Sequence, residues 1–197
     1  MLEIASEMYV SLMPAILAGI FNMLFCKLPV LGRIQTPIDG GRSLPDGKRI
    51  FGENKTWKGM LGMVALGCAF GVLWGFLCGC TDVLGSRNYL YARYPNTLPY
   101  NALMGALIGL AYALFELPNS FLKRRLDITP GKTCKGFKKI FFILLDQADS
   151  IFGCVLVISA VYGMTPLFYF AYVLLGAATH LLLNMLLYFA KLRKNIF

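Results

Sequence analysis

Glu116-Leu-Pro-Asn-Ser-Phe-Leu-Lys-Arg-Arg-Leu-Asp127 is a polar, cationic segment. After a Pro-Gly-Lys turn and further bases it feeds into Ile140-Phe-Phe-Ile-Leu-Leu-Asp-Gln-Ala-Asp-Ser150. Asp146 and Asp149 therefore stand three residues apart inside an apolar helix. An acid at the centre of a membrane helix costs roughly 2.5–3.5 kcal/mol on insertion scales. A pair of them needs a reason, and chemistry is the first to test.

The rest of the chain supports a membrane setting. Of its 197 residues, 57% are hydrophobic and 15% are charged, whereas soluble domains carry about 45–50% apolar residues and roughly 25% charge. The apolar residues fall into blocks close to the roughly 20 residues that a bilayer requires. The sequence predicts an all-α integral membrane protein, a single polytopic domain over residues 1–197. Its spans lie at about 9–26, 57–80, 99–117, 140–162 and 166–190, with substantial loops at 27–56 and 118–139. Pro118 is expected to end or kink the third span.

The net charge of +9 does not point to nucleic acid. Aromatic residues lie mostly inside the apolar runs, not among the bases. The bases instead follow the positive-inside rule. Seven lie from Lys27 to Lys58, seven from Lys123 to Lys139, and three are Lys191, Arg193 and Lys194. Only Arg87 and Arg93 fall elsewhere. Five spans with the N-terminus outside and the C-terminus inside put seventeen of the nineteen bases in the cytoplasm. Glu3 and Glu7 precede the first apolar run without a base, the wrong sign for a signal peptide.

Several features read as packing. The six cysteines form no CxxC pair, which suits neither a zinc site nor an easy disulfide. Gly67, Gly71, Gly75 and Gly79 recur every four residues and present a face for close helix approach, with Gly105 and Gly109 as a match. Exposed ridges of this kind would also permit a homodimer. Asn22 reads as an interhelical hydrogen bond. Tyr89, Tyr91 and Tyr94 suit an interfacial belt. His180 and Asn184 share a face, either as interhelical glue or as the lining of a polar cavity.

The loop at 27–56 is too varied to be a spacer. Gly52, Asn54, Lys55 and Thr56 superficially suggest a phosphate loop, but a Walker motif needs Gly directly before its Lys, and Asn54 sits there. The physical content survives. Glycines free backbone N–H groups, Lys55 and Lys58 supply charge, and a helix N-terminus begins close by.

Asp146 and Asp149 share a helical face with Ser150. They sit about 9 and 13 Å into the span from Ile140, within reach of the basic loops. Two carboxylates this close resist joint ionisation. Mg²⁺ resolves that conflict, since it takes one or two carboxylates and completes its shell with water and phosphate oxygens. Cationic loops above such ligands suggest a polyphosphate site. Proton or cation translocation uses paired intramembrane acids as well, so residue chemistry alone leaves enzyme and transporter open. The lack of an internal repeat counts against an inverted-repeat transporter.

Ser120-Phe-Leu-Lys123-Arg124 followed by Asp146-Gln-Ala-Asp149 resembles the signature of the CTP-dependent cytidylyltransferases that make CDP-activated membrane lipids. Arg49-Ile-Phe-Gly-Glu-Asn-Lys-Thr-Trp-Lys-Gly59, with Pro37-Ile-Asp39-Gly-Gly, is similar to the CDP-archaeol synthase branch. The larger phosphatidate enzymes carry a Lys-Asp pair and a His-Gly-Gly that this chain lacks, and Gln147 stands where they have an arginine. The resemblance implies transfer of CMP from CTP to a lipid phosphate in the cell (plasma) membrane, with pyrophosphate released. It implies Asp146 and Asp149 as Mg²⁺ ligands, and Lys123, Arg124 and Arg125 as triphosphate partners with Ser120. Asn54, Lys55, Thr56 and Trp57 would form the opposite wall. Asp39, Lys58, Glu116, Asp127 and Lys132 form a second tier. A phosphatidate cytidylyltransferase acting on an ester-linked lipid, a CTP-dependent lipid kinase and an ion transporter are the rival readings.

Overall fold

The structure is a computed structural model and describes residues 2–129 and 137–192. Among these residues lie six α-helices: α1 (Leu2–Lys27), α2 (Trp57–Cys80), the short α3 (Asp82–Ser86), α4 (Leu98–Arg125), α5 (Phe137–Tyr162) and α6 (Pro166–Phe189). All but α3 are long and apolar enough to cross a membrane, and the predicted all-α class holds. Lys132, Cys134, Arg193 and Lys194 lie outside the described residues.

Three boundaries differ from the sequence reading. α1 begins at Leu2, not near Tyr9, because its early acids are usable. Glu3 complements the helix dipole in the first turn, and Glu7 accepts a 2.9 Å hydrogen bond from the Tyr89 hydroxyl. α5 starts at Phe137. The largest difference is α4, which runs through Pro118 to Arg125. Membrane helices tolerate an internal proline, because neighbouring helices and local adjustments satisfy the freed backbone groups. Eight residues assigned to the second loop therefore belong to a helix.

α2 and α4 meet along the glycine faces. A Cβ added at Gly67 would collide with the Gly105 carbonyl, and one at Gly71 would lie 2.5 Å from the Asn101 carbonyl oxygen. Gly79 stands apart and would meet only the Asn96 side chain. The ridge is thus spent inside one chain, and the expectation that it is free to join a second copy does not hold. Asn22 adds the interhelical bond, its Nδ2 donating to the Gly59 carbonyl at 3.0 Å.

The connection from α2 to α4 is not an interfacial belt of tyrosines. Tyr89 is buried against Tyr162, Phe168 and Tyr172. Tyr91 donates to Asn101 Oδ1 at 2.9 Å, while Tyr94 is exposed. The cysteines described are all free thiols.

The first connection, residues 28–56, is a folded clasp. Ile38 N donates to the Lys55 carbonyl at 2.8 Å, and Leu44 N donates to the Lys48 carbonyl at 2.9 Å. Asp39 holds its centre, accepting from Arg49 Nη2 at 2.7 Å, Gly41 N at 2.9 Å and Phe51 N at 3.0 Å. Burial would raise this carboxyl's pKa. The guanidinium and the two amides outweigh that effect and hold it below the ordinary carboxylate range.

The clasp is tied to the end of α4. Arg125 binds Asp46 and the Arg49 carbonyl, and Lys48 donates to Asp127 Oδ2 at 2.7 Å. Lys27 in turn donates to the Leu192 carbonyl just beyond α6. These contacts gather the clasp and the ends of α1, α4 and α6 on one side of the helices.

Candidate active site in a charged cavity

A cavity of about 580 Å³ opens among α1, α4, α5 and α6, with Asn54 and Lys55 of the clasp at its edge. Its polar wall is the second half of α4. Glu116, Asn119, Ser120 and Lys123 recur at positions i, i+3, i+4 and i+7, so an unbroken helix places all four on one face. Continuation past Pro118 is what builds this wall.

Opposite them stand the α5 acids. Lys123 Nζ lies 2.5 Å from each Asp146 carboxylate oxygen. Asn119 Nδ2 bridges the acidic pair, donating to Asp146 Oδ1 at 2.6 Å and to Asp149 Oδ2 at 2.7 Å. Asp149 is 9% exposed and also accepts from Ser150 N at 2.6 Å. Lys55 reaches in from the clasp to pair with Glu116. Burial would lower the Lys55 pKa, but the Glu116 carboxylate and the more distant acids reverse that and hold it above the ordinary lysine range. Arg124 lines the same cavity and pairs with no acidic residue among those described. Its buried Nε has no acceptor.

The cavity thus brings together Asp146, Asp149, Lys123, Arg124, Ser120, Glu116, Asn54 and Lys55 of the sequence candidates. It leaves out six others among the described residues. Thr56 is the N-cap of α2, its Oγ1 accepting from Gly59 N at 3.1 Å. Trp57, 41% exposed, is not on the cavity wall. Lys58 is 1% exposed and donates to the Leu28 carbonyl at 2.6 Å while lying over the Phe25 ring. It caps the end of α1 and is not on the cavity wall. Arg125 and Asp127 are engaged in the ties to the clasp, and Asp39 is internal to it.

Asn119 is the residue that sequence reasoning missed. Its signal was the helical register with Glu116 and Lys123, hidden by ending the helix at Leu117. His180 and Asn184 do both jobs foreseen for them. They line the cavity, and they bind Gln147 through its carbonyl (3.2 Å) and its Oε1 (2.7 Å) respectively.

The donor set suits a hard divalent cation. It offers two carboxylates, now held by the Lys123 ammonium and Asn119 Nδ2, which a cation would displace, and Asn119 Oδ1 is buried without a partner. No group of three Asp, Glu, His or Cys side chains forms among the described residues. Such a site would leave coordination positions for water and phosphate oxygens, the pattern Mg²⁺ favours.

Five apolar helices around a buried cluster of acids, amides and cations define a polytopic membrane protein with an intramembrane polar site. Residues 1–197 match the family described as CarS-like, CDP-archaeol synthase. The chain belongs to the CDP-archaeol synthase family. It is similar to the CDP-archaeol synthase of Thermococcus onnurineus, with 35% identity over 116 residues, 59% of this chain and 61% of that one. It therefore spans about three fifths of the length of that relative. The Aeropyrum pernix relative of the same name is 33% identical over 167 residues, covering 84% of this chain and 81% of its own. The fold is similar to a solved structure described as "Structural insight into an intramembrane enzyme for archaeal membrane lipids biosynthesis". The TM-score is 0.59 at 29% identity, over 90% of this chain and 92% of that one.

Proposed function

We propose that this protein transfers CMP from CTP to a membrane lipid phosphate, an archaeol-type 2,3-di-O-geranylgeranylglyceryl phosphate, giving the CDP-activated lipid and pyrophosphate. The observation that carries the reading is the convergence of Lys55, Lys123 and Arg124 with the amide-bridged acids at one end of a cavity whose remaining walls are largely apolar. The names of the archaeal relatives support the ether-lipid substrate.

In this reaction a phosphate monoester oxygen of the lipid forms a bond to the α-phosphorus of CTP, and the bond from that phosphorus to the β-phosphate bridging oxygen breaks. The second ionisation of a phosphate monoester lies near pH 6, so the nucleophile is already anionic at neutral pH and needs no strong general base. The protein's task is to bring two polyanions together and to stabilise the departing charge. Lys123 and Arg124 neutralise the triphosphate from α4, and Lys55 does so from the clasp. Glu116 fixes the Lys55 ammonium, and Asn119 holds the two aspartates in register. Asp146 and Asp149, with Asn119 Oδ1 nearby, would hold Mg²⁺, which supplies Lewis-acid polarisation of the reacting phosphate when bound.

The basic side of the helices faces the cytoplasm, where CTP is available, and the apolar cavity wall admits the lipid from the cell membrane. Purified protein given CTP, Mg²⁺ and the lipid phosphate is expected to release pyrophosphate in step with CDP-lipid. Release of CDP without pyrophosphate would move the assignment to a lipid kinase. Ion movement into liposomes without CTP consumption would move it to a transporter.

A further inference from the structure

Among the described residues four cations reach the cavity: Lys27, Lys55, Lys123 and Arg124. Lys55 is matched by Glu116 and Lys123 by Asp146. Arg124 neighbours Lys123 on α4 and belongs with that cluster. Lys27 stands apart. It is the last residue of α1, and its ammonium donates to the Leu192 carbonyl just past α6. It pairs with no carboxylate among the described residues.

Its surroundings pair a charged helix end with an apolar wall. Beneath Lys27 the cavity is lined by Met23 and Ile20 of α1 and by Leu187 and Leu183 of α6. Farther along the same two helices, the hydroxyls of Tyr9 and Thr179 meet at 3.0 Å. The α1–α6 boundary therefore carries two polar contacts, with Ile20, Met23, Leu183 and Leu187 between them, while His180 and Asn184 of the same stretch reach to Gln147 of α5. A cation at a helix end above such a wall lies at the depth where lipid phosphates sit.

The proposed transfer brings two phosphorylated substrates into one cavity, and their mutual repulsion calls for a cation on each. The cluster on α4 and the clasp serves the nucleotide wall. Lys27 is on the opposite helix. We propose that Lys27 receives the phosphate monoester of the lipid substrate, giving up the Leu192 carbonyl as it does so, with the lipid tails lying along the apolar α1–α6 wall. An ionised phosphate oxygen is a stronger acceptor than a neutral carbonyl, so the exchange is favourable. This assignment rests on the transfer reading and names the lipid half of that site.

Steady-state kinetics with the lipid phosphate and CTP varied separately test it. Hydrogen bonds to charged groups contribute enough that Lys27→Gln should raise the lipid KM about tenfold or more, with the CTP KM unchanged, and Lys27→Arg should restore most of the loss. Inhibition by the phosphate-free diether glycerol should be equal in wild type and Lys27→Gln, because that ligand lacks the group that Lys27 binds. Leu192→Glu offers a second route that keeps the lysine. Leu192 is exposed on the cavity rim, and a carboxylate there should compete for Lys27 and raise the lipid KM alone. An active wild type with an unchanged lipid KM in both variants overturns the assignment. So does a rise confined to the CTP KM, or equal rises accompanied by a lowered melting temperature, which would make Lys27 a structural latch. A wild type that releases no pyrophosphate would instead defeat the transfer reading itself.

Discussion

The two halves of α4 put one helix to opposite uses. Before Pro118 glycines interrupt its contact face: Gly105 and Gly109 let its backbone press on that of α2, and the Ala111 carbonyl lies where a Cβ of Gly153 on α5 would go. From Glu116 onward the same helix presents an acid, an amide, a hydroxyl and a lysine, and its neighbours stand back around a cavity. In lipid, helices gain no hydrophobic drive from meeting one another, so close backbone contact supplies the adhesion. The tight half makes a spacious, charged half affordable. Gly153 is one turn from Asp149, so adhesion ends where the polar site begins.

If that division is real, damage to the two halves should separate cleanly. The largest effect is expected from Asp149→Asn. Loss of a preorganised charge at a reacting phosphate costs on the order of a hundredfold to a thousandfold in turnover. The asparagine keeps one acceptor oxygen, which serves Ser150 N, and loses the one that accepts from Asn119, so the melting temperature should fall slightly while turnover collapses. A variant that keeps full turnover would break the assignment of the polar half. Chelation with EDTA, reversed by Mg²⁺, is expected to abolish activity in wild type.

Gly105→Ala should do the reverse. Its Cβ would meet the backbone of Gly67 and Gly71, and overpacking of this kind costs about 1–3 kcal/mol. Thermal unfolding in detergent should move down, while turnover per folded molecule stays the same. Lost turnover at unchanged stability would show that the seam transmits to the site.

Lys55 and Lys58 offer a smaller version of the same contrast, three residues apart. Lys55→Met removes a cavity cation and leaves Glu116 unpaired, so the CTP KM should rise several-fold. Lys58→Met removes a cap from the carbonyls ending α1 and should lower stability by about 1 kcal/mol, with the CTP KM unmoved.

How far these roles could be read from the chain depends on the kind of contact. The five long helices follow from block length, and the α2–α4 seam follows from glycine pitch, because both are local properties. Asp146 and Asp149 announce themselves by cost, being acids in an apolar run. Lys58 and Arg125 could not be sorted from Lys55 and Lys123 in advance. All four read as cations near a helix end, and what separates them is whether a carbonyl or a cavity faces them after folding. Asn119 was hidden by a rule carried over from soluble helices, where proline is a stop.

The smallest expected effect lies in the clasp and depends on pH. Asp39 is held below the ordinary carboxylate range despite its burial, by Arg49 and the amides of Phe51 and Gly41. A depressed carboxyl contributes stability above its unfolded pKa and loses it as pH falls through its folded one. The clasp should therefore be uniformly protected at neutral pH and open only below about pH 4, the ordinary range for aspartate. Hydrogen exchange across residues 37–56 followed against pH should show that single acid limb. Asp39→Asn should flatten it while raising exchange slightly at every pH, because the Arg49 guanidinium loses its buried charged partner and keeps only the exposed Glu53. Since the clasp delivers Lys55 to the cavity, Asp39→Asn should raise the CTP KM slightly at neutral pH, and the lipid KM should not move. A clasp that opened with no change in the CTP KM would mean that Lys55 is positioned by Glu116 alone, and the charged half of α4 would then extend its control to the loop as well.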